Sequence, residues 1–196
     1  MPVRNLVLFP GMVFPLSVGR QKSIAAAQQA VRDQKQVGVL LQRDSETADP
    51  TPIDMHRVGT AANIARYVTA PDGSHHLVCQ GEQRFQVLEF LEGWPFLVAK
   101  VLRLPEADVR TPEIEARFVA LKAQAVEAIE LLPQAPPEMA NVVQSIQSPG
   151  QLADFAAGYM DVPPPEKQEI LETLDVTARM DKVLKLLAQR IEVLGL

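Results

Sequence analysis

Apolar residues in the first half of this chain come in short runs cut by glycine and proline; in the second half they recur every three or four positions. The first pattern belongs to strands and the second to helices. Residues 6–9 (Leu-Val-Leu-Phe) are continuously apolar, which predicts a short strand covered on both faces. Pro10-Gly11 predicts a turn, because proline presets φ and glycine accepts a positive value. Pro15 has no ladder donor, which puts the next extended segment at a sheet edge or a bend. Residues 21–32 form a helix by propensity, with Ile24, Ala27 and Val31 facing a sheet. Residues 37–41 read as a buried strand and 44–52 as a polar, proline-punctuated loop.

Residues 58–68 and 75–81 flank the turn Pro71-Asp72-Gly73-Ser74, which predicts an antiparallel hairpin. A further strand over 84–91 carries Phe85, Val87 and Glu89 on one face. Gly93-Trp94-Pro95 interrupts it before a last strand over 96–104. Many short strands and one early helix suggest a small, partly closed β-barrel, with an open sheet as the alternative.

The second half is helical. Thr111 caps a helix that Pro112 and Glu113 open and that Pro133 and Pro136-Pro137 end. A short helix covers 138–146. Ser148-Pro149-Gly150-Gln151 is a capping box for a helix carrying Leu152, Phe155, Ala156 and Tyr159. Pro163-Pro164-Pro165 separates it from a helix over 166–174. Asp175 caps a final helix in which Met180, Leu184, Leu187, Ile191 and Leu194 form a heptad seam of about two repeats. Read as a truncated seam, this helix continues into a further module. The fold class is α+β: a β-rich subdomain over 1–104, a linker over 105–110 and a helical subdomain over 111–196.

Charge divides at the same boundary. Residues 1–104 carry a balance of +2 and residues 105–196 one of −7, for a net −5. An acidic chain without a basic-aromatic stripe is not a general nucleic-acid or anionic-membrane binder. A single cysteine, Cys79, excludes an internal disulfide and fits a reducing compartment. There is no apolar run of about 18 residues, so the expected location is the cytoplasm. His75 and His76 flank a tight turn without an accompanying ligand set and read as a solvated hairpin. Glu169 and Glu172 read as a solvated helix face. No phosphate loop, nucleophile–base pair or metal motif is present.

Several motifs occur in order: Pro2-Val3-Arg4-Asn5, Val7-Leu8-Phe9-Pro10-Gly11-Met12, Pro15-Leu16 and Val18-Gly19-Arg20; then Val58-Gly59-Thr60 with Ile64; Gly81-Glu82-Gln83-Arg84-Phe85; Leu152-Ala153-Asp154-Phe155-Ala156; and the run 165–175. Together they resemble the amino-terminal, substrate-binding domain of Lon proteases, and Asp175 with Arg179 matches the start of the helix that leads toward the ATPase in that family. Residues 61–76 match it poorly. The resemblance implies a PUA-like pseudo-barrel followed by a helical subdomain. It also implies recognition of unfolded, damaged or degron-bearing proteins in protein quality control, and self-association within a hexameric protease. ATP and Mg would serve the full protease; no cofactor is expected in this chain, which lacks the ATP-binding loop and the Ser-Lys dyad. The alternative is a stand-alone Lon-like adaptor or peptide-binding module. For a client-binding role the candidates are Met12, Phe14, Trp94 and Phe96, because each lies beside a Pro or Gly turn where an apolar side chain can leave the core.

Overall fold

Strand β5 (His75–Leu91) is the spine of the amino-terminal unit. The structure, a computed structural model, describes residues 1–196, and the chain divides into a unit over Met1–Pro105 and a unit over Glu106–Leu196. The first contains β1 (Pro2–Val3), β2 (Val13–Val18), α1 (Gln21–Asp33), β3 (Val37–Leu41), β4 (Val58–Thr69), β5 and β6 (Val98–Leu104). The sheet runs β1-β3-β4-β5-β2, and β6 pairs with β5 as well. One long strand therefore carries β4 along one side. On the other side it carries β2 over its first half and β6 over its second. Only β1 and β3 run parallel. Residues 75–81 and 84–91, read from sequence as two strands, are one, because Glu82 and Gln83 continue the same extended backbone.

The apolar run 6–9 is buried from Val7 onward, with Leu6 half-buried, but is not a strand. Val7, Leu8 and Phe9 are at most 3% exposed, yet the opening strand is Pro2–Val3. β1 pairs with the edge of β3, and β2 pairs with β5. Residues 6–9 cross between them, and Thr60 Oγ1 donates a buried 2.6 Å hydrogen bond to the Leu8 carbonyl. The Pro10-Gly11 turn forms as expected. Met12 N–H donates to the Phe9 carbonyl at 3.1 Å, and Gly11 takes φ 82°, the type II arrangement. Gly11 N–H donates to the Gly81 carbonyl and Gly81 N–H to the Met12 carbonyl, both at 2.8 Å. A positive-φ glycine in this pattern is a G1 bulge, which leads the turn directly into β2. Pro15 sits on an edge strand, where its missing donor costs no ladder bond.

Two face assignments change. Helix α1 buries Ser23, Ile24, Ala27 and Ala30, while Val31 is 44% exposed. Val31 lies in the last turn of the helix, which ends at Gln34 in the left-handed conformation. In β5, a register shift after Val87 puts Glu89 opposite Lys100 and leaves Leu88 as the extra residue. The bulge returns Phe90, not Glu89, to the core, where Phe85, Val87, Phe90, Leu97 and Ala99 cluster with Leu40 and Met55.

Cys79, in the middle of β5, is fully buried. Burial pushes its thiol up to about 11 from an ordinary 9.0. Above pH 9 the unfolded thiol ionises while the folded one does not, so this group's contribution to stability is lost as pH rises toward 11. At pH 8 we expect alkylation of Cys79 only when urea unfolds the chain. Rapid labelling of the folded protein would contradict this burial.

The second unit contains α2 (Pro112–Glu130), α3 (Pro137–Ser145), α4 (Pro149–Tyr159), α5 (Pro164–Glu172) and α6 (Val176–Leu194). Three caps predicted from sequence form: Thr111, Ser148 and Asp175 accept from the N–H groups of Ile114, Gln151 and Ala178. The α6 stripe is broader than a heptad seam. Met180, Val183 and Leu187 lie deepest, whereas Leu184, Ile191 and Leu194 are half-buried. The helix packs on both α2 and α4, which demands a wide face. No helix is long and apolar enough to cross a membrane.

Candidate functional site

The amino-terminal strand separates three depressions on the β-rich unit, each lined in part by Met1 and Pro2. The largest is a groove of about 540 Å³ between residues 1–6 and the face of β2 that bears Phe14, Leu16 and Val18. Gly19, Arg20 and Ser23, where β2 gives way to α1, also line it. A second pocket of about 200 Å³ opens over the Phe85 cluster and is lined by Phe90, Leu97 and Ala99. The third is a crevice of about 20 Å³, where Phe96 and Leu97 meet Lys22, Ala26 and Pro50.

The four sequence candidates divide accordingly. Met12 is a correction: it is only 6% exposed, because the bulge that feeds β2 turns its side chain into the core. Phe14 is half-buried on the wall of the large groove. Trp94 is 56% exposed in the β5–β6 connection, after Gly93 at φ 95°. Its ring lies 6.2 Å from that of half-buried Phe96, at an interplanar angle of 38°. Phe96 and Phe14 thus lie on depressions that share Met1, Pro2, Arg20 and Ser23.

Sequence reasoning missed other exposed apolar residues on this ladder. Leu88 (53%) and Leu102 (49%) stand out from the β5–β6 pair, and Leu91 follows at 41%. The signal was present: Val87-Leu88 and Phe90-Leu91 are adjacent apolar pairs, and a two-sided strand cannot bury both members on one face. The arginines were missed too. Arg4 Nη1 donates to the Ser45 carbonyl at 2.6 Å. Arg20 Nη2 donates to Gln42 Oε1 at 2.6 Å and to the Thr47 carbonyl at 3.5 Å. Burial and then neighbouring Arg4 lower the Arg20 guanidinium below its ordinary value, with Asp49 acting in the opposite sense. Two cations are therefore gathered at the groove by carbonyl and amide oxygens.

At the hairpin, Tyr67 and His75 Nδ1 are 2.6 Å apart, and His76 lies between Ser17 and Ser74. No group of three or more His, Cys, Asp or Glu is placed to hold a metal ion. The arrangement offers contact surfaces: apolar walls, an aromatic pair and a cationic groove end.

Residues 1–189 match the family model of the ATP-dependent protease La (LON) substrate-binding domain. The chain is 59% identical over 195 residues to a Lon protease of Methylocella silvestris, covering 100% of this chain and 24% of that protein. It is 53% identical to a Lon protease of Phenylobacterium zucineum, covering 100% of this chain and 25% of that one. The chain thus spans about a quarter of the length of the curated relatives it matches. The N-terminal domain of Mycobacterium avium complex Lon protease superposes with TM-score 0.77 at 25% identity, over 96% of each chain. A Lon N-terminal domain protein from Xanthomonas campestris shares the fold with TM-score 0.67 at 18% identity, over 94% of this chain and 95% of that one. This chain belongs to the Lon protease substrate-binding domain family.

Proposed function

We propose that this chain recognises unfolded or degron-bearing proteins for an ATP-dependent Lon-type protease, binding their exposed apolar segments through the Trp94–Phe96 pair and the adjoining depressions. The observation that carries this reading is Trp94, a large aromatic side chain left 56% exposed beside Phe96, which lines a crevice. An exposed aromatic anchor costs little conformational entropy when it binds, and such residues dominate interface energies. A client displaying several apolar segments would gain further from the repeated domains of a hexamer. ATP, Mg and peptide-bond hydrolysis belong, in this reading, to the part of the protease relatives that this chain does not match. The stand-alone adaptor alternative would use the same surface; the 59% and 53% identity to Lon proteases supports the protease reading.

The test is capture of a reduced, unfolded client by Trp94→Ser, Phe96→Ser and the double variant. Loss of two aromatic anchors is expected to weaken capture about tenfold or more. Undiminished capture by a double variant that retains its circular dichroism would remove this surface from the reading.

A further inference from the structure

The free edge of β2 and the two arginines at the large groove point to a more specific ligand than apolar surface in general. This inference rests on the client-binding reading. Strand β2 pairs only with β5, so its second edge is open. The hydrogen bonds at Gly11, Met12 and Gly81 set the ladder's phase. Counting from them, Phe14, Leu16 and Val18 direct their backbone groups toward Cys79, Leu77 and His75. Val13, Pro15 and Ser17 therefore direct theirs outward. The open edge offers carbonyls at all three positions and N–H groups at Val13 and Ser17, since Pro15 has none. All three residues are exposed. An added strand would find the apolar face of Phe14, Leu16 and Val18 beside it.

The charge on the groove is one-sided. Arg4 and Arg20 line it, and no Asp or Glu does. Asp49, the acid that acts on Arg20, forms its own ion pair with Lys22 at 3.2 Å. The groove's lining continues past Val18 to Gly19, Arg20 and Ser23, so an extended chain travelling along β2 toward Val18 brings its end to Arg20. An extended apolar strand that ends beside two guanidiniums is complementary to a polypeptide's carboxy terminus.

We propose that this groove takes the carboxy-terminal segment of a client protein, added as a strand to the free edge of β2, with its terminal carboxylate received by Arg4 and Arg20. The edge supplies affinity without reading sequence, the apolar wall selects hydrophobic residues, and the arginines select a chain end.

The test uses short fluorescent Val/Leu/Thr peptides with this chain: one with a free carboxylate, one amidated, one amidated with an internal Glu, and free-acid versions N-methylated at single positions. The free acid is expected to bind about tenfold more tightly than the amide. Arg4→Gln, a change at an exposed side chain, should narrow that gap, and adding Arg20→Gln should close it. N-methylation at alternate residues should weaken binding, and at the intervening residues it should not. Equal binding of acid and amide, or an amidated internal-Glu peptide matching the free acid, overturns the proposal. Insensitivity to every N-methylation does so as well. If peptide instead dissolves a concentration-dependent dimer that Arg4→Gln also dissolves, the groove belongs to a second copy of this chain. Unfolded client is titrated in parallel. Capture of that client, sensitive to Trp94→Ser, alongside equal acid and amide binding, overturns the groove assignment alone. Failure to bind either ligand overturns both readings.

Discussion

Replacing Arg179 with Met is expected to destabilise the helical unit by about 3–5 kcal/mol, the usual cost of breaking a buried ion pair from one side. The Arg179 side chain is 1% exposed. Its Nη1 donates to the Glu106 carboxylate and lies 3.6 Å from Asp154, whose side chain is 2% exposed. Nε donates to the Thr173 carbonyl at 2.9 Å and Nη2 to the Leu174 carbonyl at 3.3 Å. One guanidinium thus ties the segment before α2, helix α4 and the end of α5 to α6. Methionine fills much of the volume but leaves Asp154 buried without its cation and two carbonyls without their donor. Trp94 is the only tryptophan, so its fluorescence follows the β-rich unit while far-UV circular dichroism follows the helices. The dichroism midpoint in urea should fall and the fluorescence midpoint should not. Adding Glu106→Gln and Asp154→Asn should recover part of the loss, because the stranded charges go with them. An unshifted dichroism midpoint for Arg179→Met would refute the role given to this cluster.

Gly81→Ala is expected to cost the β-rich unit about 1–3 kcal/mol through overpacking. A Cβ at position 81 would fall on the Phe9 carbonyl oxygen, with the Thr60 methyl 3.2 Å away. The carbonyl cannot withdraw. It closes the Phe9–Met12 turn, and the Phe9 side chain is fully buried. Here the fluorescence midpoint should fall. Gly19→Ala is the control: nothing lies within 4 Å of its would-be Cβ, so the change should be neutral or slightly stabilising. Equal midpoints for Gly81→Ala and wild type would show that the turn does not need its close approach to β5.

Local chemistry made much of this legible from sequence. Caps at Thr111, Ser148 and Asp175 depend on one side chain and an N–H three residues on, so spacing alone reveals them. The Pro10-Gly11 turn is equally local. The candidate site was legible only in part, because exposure depends on which face a strand presents. Trp94 beside Gly93 is indeed exposed, and Phe14 is half-buried, but Met12 beside Gly11 is buried. The same kind of turn neighbour has opposite fates according to how the bulge aims the next side chain.

The sequence by itself determined the α+β class, most element boundaries and the family, because periodicity, caps and turn motifs act over a few residues. Only the tertiary structure decided the rest. It showed that the buried run 6–9 is a crossing rather than a strand, that a bulge after Val87 exposes Leu88 and returns Phe90 to the core, and that Arg179 draws Glu106 and Asp154 into one buried cluster. It also showed that Arg4 and Arg20, 16 positions apart in the sequence, meet at one groove beside a free strand edge. These features depend on strand register and on contacts between residues distant in the chain, and a one-residue slip in a strand reverses the face of every side chain that follows.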